Sequence, residues 1–229
     1  MHDLSSSNGK GSLHGTSAIV FDLDGTLIDS SAGIIASLTA AFEATGRQTP
    51  STNLRNVVGP PIRIIVRNVD PSLSDAEIVA IAGEFRTHYD TIGWRRTVAF
   101  EGVVEGLQRL QRAGILLFIV TNKPQKPTVQ ILELLGLSRV FEGVFSRDNT
   151  TPPYASKSAM LADLIAMHGL KATDTAMAGD TAEDEEAAKS NGAHFIHAAY
   201  GYGEVTDAEF SIGSFRELEE MLSGVKTQG

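Results

Sequence analysis

The sequence contains no cysteine among its 229 residues, and this absence excludes several kinds of chemistry. A disulfide framework, a thiol nucleophile and a zinc site built on thiolates are all ruled out. A chain without cysteine fits a reducing compartment, so we expect a cytoplasmic location. The sequence also lacks any apolar run close to the ~18 residues that a membrane-spanning helix needs. Residues 1–17 contain no hydrophobic stretch of the signal-peptide type.

Positive charge is scarce as well, since 19 Lys and Arg stand against 28 Asp and Glu, for a formal net charge of -9. Such a charge disfavours binding to nucleic acid or to an anionic membrane surface, and we expect neither as a partner. A small anionic substrate is not excluded, because one nearby lysine and a bound metal ion outweigh a distant acidic surface. The apolar fraction of 42% is ordinary for a globular protein with a buried core.

Short apolar, β-prone runs alternate with helical patterns along most of the chain. The runs lie at 18–21, 115–120, 143–145, 175–178 and 193–197, and the helical patterns at 103–112, 128–135, 156–168 and 183–190. A short strand at 210–212 and a helix at 215–222 follow. This alternation predicts an α/β fold with a doubly wound parallel sheet.

Residues 31–100 interrupt the alternation. Apolar residues recur there at helical spacing, and Gly59-Pro60-Pro61 marks a break, with Pro61 well placed to open the next helix. We therefore predict three parts: a flexible Ser/Gly-rich tail (1–17), an α/β core (18–30 and 101–229) and an inserted helical domain (31–100).

Two carboxylates follow the first predicted strand, and this arrangement suits the hydrolysis of a phosphate ester. That reaction needs a nucleophile, a proton donor for the leaving oxygen and positive charge beside the phosphoryl oxygens. Asp22 and Asp24 are two residues apart, so one can serve as an ionised nucleophile and the other as an acid/base. Gly25 permits a tight turn, and the Thr26 hydroxyl can brace that turn.

Polar residues also follow the other predicted strands. Thr121 and Asn122 end the second strand, and Lys157 opens the helix after the third. Asp180 ends the fourth strand, with Asp184 one helical turn further on, and such a carboxylate pair can hold Mg²⁺. Open α/β sheets bind ligands at the carboxyl ends of their strands, so these groups are expected to share one crevice.

These segments resemble the four signatures of the haloacid dehalogenase-like hydrolase superfamily. The resembling residues are Phe21 to Leu27, Val120-Thr121-Asn122, Lys157, and Gly179-Asp180 with Asp184. Further features are similar to the phosphoglycolate phosphatase-like branch: Asp29-Ser30, Gly59-Pro60-Pro61, Thr121-Asn122-Lys123-Pro124 and Gly201-Tyr202-Gly203. The resemblance implies that the helical insert is a cap, and the acidic Asp24 points to phosphate chemistry rather than dehalogenation.

The resemblance also implies a mechanism. Asp22 would attack phosphorus and become an aspartyl-phosphate, while Asp24 would protonate the leaving oxygen and later deprotonate water. Mg²⁺ would be held by Asp22, the backbone carbonyl of Asp24, and Asp180, with Asp184 acting directly or through water. Thr121, Asn122 and Lys157 would bind the phosphoryl oxygens of a small organic phosphate. The cap would close over the substrate.

Several alternatives stay open at this point. Relatives often carry Lys-Pro where this chain has Lys157-Ser158, so Lys123 is a second candidate for the phosphate contact. Arg63 and Arg67 share one helical face, which is either a solvated basic face or a substrate contact in the cap. The leading function is phosphatase; a 5′-nucleotidase, a pyrophosphatase or a β-phosphoglucomutase-type isomerase are the alternatives.

Overall fold

The computed structural model describes residue 13 and residues 15–49 and 58–223. In chain order the strands are β1 (Ala18–Phe21), β2 (Ile28–Asp29), β3 (Val98–Ala99), β4 (Leu116–Thr121), β5 (Gly143–Ser146), β6 (Thr175–Gly179), β7 (His194–Ala198) and β8 (Phe210–Ile212). The helices are α1 (Ser31–Ala44), α2 (Ile62–Val69), α3 (Asp75–Thr91), α4 (Val103–Arg112), α5 (Gln125–Leu134), α6 (Lys157–His168), α7 (Ala182–Ser190) and α8 (Phe215–Ser223).

Six strands form one parallel sheet in the order β5-β4-β1-β6-β7-β8. β1 lies inside this sheet, with Val20 paired to Phe118 of β4 on one side and to Met177 of β6 on the other. All four residues of β1 are buried, as expected for a parallel strand that is covered on both faces. The prediction of an α/β fold with a doubly wound parallel sheet is confirmed.

Alternate residues of β1 belong to two separate cores, one on each face of the sheet. Ile19 and Phe21 pack with residues of α4, α5 and α8, whereas Ala18 and Val20 pack with residues of α6 and α7. Successive strand side chains point to opposite faces, so a continuous apolar run can fill both cores at once. The sheet is thereby fixed between two helical layers, and its strand ends hold the functional groups in place.

One helix starts earlier than its sequence pattern indicates. The helix predicted at 128–135 begins at Gln125, with Pro124 at its N-cap and Pro127 in its first turn. Proline is tolerated there because the first N–H groups of a helix have no partner within the helix.

The helical insert lies between β2 and β3, which pair antiparallel where the chain leaves and rejoins the core. Pro61 is the N-cap of α2, so it lies just before the first helical residue. α1, α2 and α3 share a core of their own, which includes Leu38, Phe42, Val66 and Ile81.

Packing at the amino terminus begins before the boundary that we predicted at Ala18. Leu13 is only 4% exposed and belongs to the core beside α4 and α8. The Ser17 N–H also donates to the Asp174 carbonyl at 2.8 Å. Within the predicted tail, residues 1–12 and 14 lie outside the described residues. Within the described ranges, no helix has both the length and the apolar character to cross a membrane.

Candidate active site

Asp22 is the residue that follows β1, and its carboxylate is buried at the end of the sheet. Asp22 is only 5% exposed, and its backbone N–H donates to the Ala178 carbonyl at 2.9 Å. Beyond it the chain turns sharply at Gly25, which has a φ of +87°. A Cβ atom at Gly25 would overlap the carboxylate of Asp180. Glycine is therefore required both for the backbone conformation and for this close approach.

Asp180, at the end of β6, is fully buried and held by three donors. The backbone N–H groups of Tyr202 and Gly203 donate to its Oδ2 at 2.9 and 3.1 Å, and the Thr26 hydroxyl contacts its Oδ1 at 3.3 Å. Thr26 therefore braces Asp180 rather than its own turn. Burial raises the pKa of Asp180, and the N–H groups of Tyr202 and Gly203 act in the opposite direction.

Asp184 lies in the first turn of α7 and is the partner of the helix N-cap, Thr181. The Thr181 hydroxyl donates to Asp184 Oδ2 at 2.6 Å, and the Thr181 N–H donates to the same oxygen at 3.0 Å. This is a capping box, with Asp in the place usually taken by Glu or Gln. The arrangement fixes the orientation of Asp184 and leaves its Oδ1 facing Lys157.

Lys157, the first residue of α6, connects two of these carboxylates. Its buried ammonium donates to Asp22 Oδ1 at 2.9 Å and to Asp184 Oδ1 at 2.6 Å. Burial opposes the charged form of Lys157, but Asp184 and Asp22 together raise its pKa above the ordinary value. Lys157 is therefore an ammonium group in this site.

Asp22, Asp180 and Asp184 each offer a carboxylate oxygen, and these oxygens lie within 4.8 Å of one another. Three carboxylates and one ammonium leave a formal excess of two negative charges in a buried place. Burial raises the pKa of Asp22. The charge of Lys157 lowers this pKa, whereas the charges of Asp184 and Asp180 raise it further. Buried oxygen ligands with this surplus of negative charge fit a hard divalent cation. The acidic cluster is thus suited to a metal ion.

The Asp24 carboxylate lies apart from this cluster. Lys123 Nζ contacts its two oxygens at 2.9 and 3.1 Å, and the Ser30 hydroxyl donates to Oδ1. Burial opposes the charge of Lys123, but Asp24 raises the pKa of this lysine. The two lysines therefore divide between the two carboxylates: Lys157 pairs with Asp22, and Lys123 pairs with Asp24. Contact of either lysine with phosphate stays a prediction.

Thr121 and Asn122 extend from the end of β4. The buried Thr121 hydroxyl accepts from the Lys123 N–H at 3.1 Å, and the Asn122 side-chain amide donates to Glu183 at 2.8 Å. Among the described residues, Asn122 Oδ1 is buried without a hydrogen-bond partner. Their predicted role in phosphate binding is compatible with this position and remains a prediction.

Arg63 and Arg67 are exposed on α2. Arg67 Nη2 pairs with Asp75 at 2.6 Å, with both side chains largely in solvent. Within the described residues, neither arginine forms an ion pair with a carboxylate of the site. A substrate contact by these residues stays a prediction.

Two tyrosines at the site were not identified as functional from the sequence. Tyr89, on α3, has its ring 4.8 Å from Lys123 Nζ. The Tyr202 hydroxyl donates to Asp29 Oδ1 and accepts from the Ser30 N–H, both at 2.8 Å. The Gly201-Tyr202-Gly203 motif was a signal for Tyr202. An aromatic residue in an amphipathic helix, such as Tyr89, is ordinarily a core residue, so the pattern did not single it out.

The family model for haloacid dehalogenase-like hydrolases matches residues 19–198 of this chain. The chain therefore belongs to the haloacid dehalogenase-like hydrolase family, as its motifs predicted. A haloacid dehalogenase-like family hydrolase from Streptococcus pneumoniae has a similar structure, with a TM-score of 0.80 and 25% identity. The match covers 90% of this chain and 97% of that one.

Two of the relatives carry different names. Phosphoglycolate phosphatase from Agrobacterium fabrum is 31% identical over 197 residues, which is 83% of this chain and 83% of that protein. Tyrosine-protein kinase PtkA from Mycobacterium tuberculosis is 31% identical over 186 residues, which is 81% of this chain. The match spans only 62% of the length of PtkA. The predicted similarity to phosphoglycolate phosphatases is confirmed.

Proposed function

We propose that this protein is a Mg²⁺-dependent phosphatase that hydrolyses a small organic phosphate through an aspartyl-phosphate on Asp22. The observation that carries the proposal is the buried group of Asp22, Lys157, Asp180 and Asp184. Membership of a hydrolase family and the relatives named phosphoglycolate phosphatase support it. A cytoplasmic location is part of the proposal, and cell fractionation would test it.

In the first step, Asp22 Oδ2 attacks phosphorus and forms the acyl phosphate. The bond from phosphorus to the ester oxygen breaks, its electron pair stays on that oxygen, and Asp24 supplies the proton. An anionic nucleophile and an anionic phosphate repel each other, by about 4 kcal/mol per charge pair at 4 Å in an effective dielectric of ~20. Lys157 reduces this repulsion, since two of its three N–H donors are used and one is left for a phosphoryl oxygen.

Asp22, Asp180 and Asp184, with the backbone carbonyl of Asp24, would hold the metal ion. When bound, Mg²⁺ supplies positive charge that stabilises the phosphoryl oxygens. Thr121 and Asn122 would add hydrogen-bond donors from the end of β4.

In the second step, Asp24 acts as the base. Its carboxylate takes a proton from water, the water oxygen attacks phosphorus, and the bond to Asp22 breaks to release inorganic phosphate. Lys123 and Ser30 hold Asp24 in one orientation for both steps.

The leaving group is the finer part of the proposal. Phosphoglycolate is the first candidate, because the Agrobacterium fabrum relative carries that name. Nucleoside monophosphates, sugar phosphates and pyrophosphate present the same phosphoryl end, so they belong in the same test.

The experiment is a phosphate-release screen of these compounds with Mg²⁺, repeated in EDTA and with Asp22→Asn. We expect phosphate release from at least one compound. The rate should fall by more than about 10³-fold in EDTA, which removes the cation, and by a similar factor in Asp22→Asn, which removes the nucleophile. Asp163→Asn changes an exposed aspartate and is the matched control. Normal turnover by Asp22→Asn would refute the assignment of the nucleophile.

A second candidate is transfer of the phosphoryl group to a hydroxyl acceptor other than water. The identity of 31% with tyrosine-protein kinase PtkA favours testing a tyrosine acceptor. Incubation with ATP, Mg²⁺ and a tyrosine-containing peptide, followed by mass spectrometry, would detect phosphotyrosine. Conversion of a sugar 1-phosphate to the 6-phosphate would instead indicate an isomerase of the β-phosphoglucomutase type.

A further inference from the structure

Ser30 occupies the N-cap position of α1, but its hydroxyl does not cap that helix. A serine at this position ordinarily accepts a hydrogen bond from a backbone N–H in the first turn of its helix. Within the described part of the chain, the Ser30 side chain makes no such bond, and its hydroxyl donates to Asp24 Oδ1 instead. Ser30 is also fully buried. Its hydroxyl therefore serves the acid/base carboxylate rather than the start of the helix.

The residues that lead into α1 are held by Asp29 and by the hydroxyl of Tyr202. Asp29 Oδ1 accepts from the N–H of Ser31, the first helical residue, at 2.9 Å. The Tyr202 hydroxyl donates to the same carboxylate oxygen at 2.8 Å and accepts from the Ser30 N–H at 2.8 Å. Burial raises the pKa of Tyr202, so its hydroxyl remains protonated and can donate. This hydroxyl thus fixes the backbone of Ser30.

The backbone of Tyr202 is in turn fixed against the end of β6. Its N–H donates to Asp180 Oδ2 at 2.9 Å. A Cβ atom at Gly201 would overlap the side chain of Asp180, and one at Gly203 would overlap the Asp180 carbonyl oxygen. The two glycines therefore allow the loop to approach Asp180 closely, and Tyr202 is held from both its main chain and its hydroxyl.

We propose that Tyr202 is a positioning residue for Asp24, because its hydroxyl fixes the Ser30 backbone and so directs the Ser30 hydroxyl to Asp24. The inference rests on the proposed phosphatase activity, in which Asp24 protonates the leaving oxygen. Lys123 contacts Asp24 as well, but its ammonium lies on a flexible four-carbon stem and can follow a carboxylate that turns. Serine has a single side-chain torsion between staggered positions, so its backbone sets where its hydroxyl oxygen lies.

The test compares Tyr202→Phe with the unaltered protein on phenyl phosphate and 4-nitrophenyl phosphate. Phenolate is the stronger base and needs the proton from Asp24, whereas 4-nitrophenolate departs with little help. We expect kcat/KM to fall about tenfold for phenyl phosphate and less than about twofold for 4-nitrophenyl phosphate. The ratio kcat/KM is used because it excludes hydrolysis of the acyl phosphate, a step that both substrates share. Equal losses on the two substrates, or no loss on either, would overturn the inference.

A double-mutant cycle tests whether Tyr202 acts through Ser30. Ser30→Ala removes the hydroxyl that contacts Asp24 and keeps the N–H that donates to Tyr202. In this background, Tyr202→Phe should lower kcat/KM for phenyl phosphate by less than about twofold further, since the route to Asp24 is already broken. A full additional tenfold loss would show that the two residues act independently, and the inference would be wrong.

Two controls separate this role from a general effect on the site. Tyr200→Phe removes the hydroxyl of another tyrosine in the same loop, which donates to the Thr26 carbonyl at 2.8 Å. It should affect both substrates equally, and a preference as large as that of Tyr202→Phe would overturn the inference. Tyr202→Phe keeps both backbone donors to Asp180, so Mg²⁺ should raise its Tm as much as that of the unaltered protein. A smaller rise would place the effect at the metal site and contradict the assignment.

Failure of the proposed activity is distinguishable from failure of this inference. If the unaltered protein hydrolyses neither aryl phosphate, urea unfolding of the same four proteins decides whether Tyr202 positions the Ser30 side chain. The effect of Tyr202→Phe on the unfolding equilibrium constant should then be at least about threefold smaller in the Ser30→Ala background. Equal effects in the two backgrounds would overturn the inference. If no compound in the earlier screen yields phosphate either, the phosphatase proposal itself fails.

Discussion

Lys157 is shared by two carboxylates, because its ammonium contacts Asp22 at 2.9 Å and Asp184 at 2.6 Å. The three side chains come from the end of β1 and the starts of α6 and α7, and each is less than a tenth exposed. Buried charges are costly when unpaired, so the lysine has a structural effect besides its proposed contact with phosphate. At the scale of single residues, stability and chemistry therefore depend on the same atoms.

Replacing Lys157 by Gln tests this double dependence. We expect the free energy of unfolding in metal-free buffer to fall by roughly 3–5 kcal/mol, because two buried carboxylates lose their counter-charge. Urea denaturation followed by circular dichroism measures it. Lys189→Gln breaks a pair with Glu185 in which the lysine is exposed, and it should change stability by less than about 0.5 kcal/mol. A denaturation midpoint for Lys157→Gln equal to that of the unaltered protein would contradict the prediction.

The helix α3 begins with a complete local start signal. Ser74 is its N-cap, and the Glu77 carboxylate accepts from the Ser74 N–H at 2.8 Å, which forms a capping box. The Ser74 hydroxyl and N–H hold the pKa of Glu77 below its usual range. Since α3 also carries Tyr89, the local sequence that starts this helix helps to position a residue next to Asp24.

Removing the cap with Ser74→Ala should destabilise the protein by about 1 kcal/mol at neutral pH. The pKa of Glu77 is lower in the folded state than its unfolded value of 4.5, so the ionised Glu77 stabilises the fold at pH values above 4.5. It is lost as the pH falls through the lower folded value, because protonation removes the acceptor. The stability gap between the two proteins should therefore narrow below about pH 4.

Thermal or urea unfolding at several pH values measures this gap. Ser190→Ala is the control, since Ser190 bonds an exposed glutamate near the end of α7 and caps no helix start. If the stability difference between the unaltered protein and Ser74→Ala became larger in acid, the assigned capping role of Ser74 and Glu77 would be wrong.

On the scale of the whole molecule, the loop after β7 joins the acidic cluster to the junction with the insert. Its Tyr202 donates a backbone N–H to Asp180 at 2.9 Å, and the hydroxyl of the same residue donates to Asp29 at 2.8 Å. Asp29 ends β2, where the chain passes into the insert. One tyrosine thus connects the proposed metal site to the hinge of the proposed cap.

Metal binding should therefore stabilise the entire fold. At 100 times its dissociation constant, a ligand specific to the folded state adds about 2.7 kcal/mol. For a chain of this size, that gain raises the Tm by about 5 °C or more. We expect Mg²⁺ to produce such a shift in metal-stripped protein, measured by scanning calorimetry.

Asp180→Asn should lose most of the Mg²⁺ shift, because it removes one buried anionic ligand. Asp163→Asn should retain it, since Asp163 is exposed on α6. An undiminished shift in Asp180→Asn would place the cation elsewhere.

Much of the core and most of the proposed site residues could be predicted from local sequence. The run Ala18–Phe21 is apolar over four residues and is followed at once by Asp22, so burial and the strand end are both encoded within a few positions. The same holds for Asp180 after β6 and for Lys157 at the start of α6. Parallel strands place their carboxyl ends at one edge, so these separate segments could be assigned to one crevice.

Which side chain meets which carboxylate was decided by tertiary packing. Lys123 and Asp24 are 99 positions apart, and their contact depends on the neighbouring positions of β1 and β4 in the sheet. Tyr89 reaches Lys123 only through the placement of the insert beside the core, and no periodicity within α3 distinguishes that tyrosine from a core aromatic. The local sequence pattern determines where a strand or helix ends, because the interactions that end it are made by residues adjacent in the chain. Pairing across the site depends on the relative placement of whole elements, which is set by the packing of their buried faces.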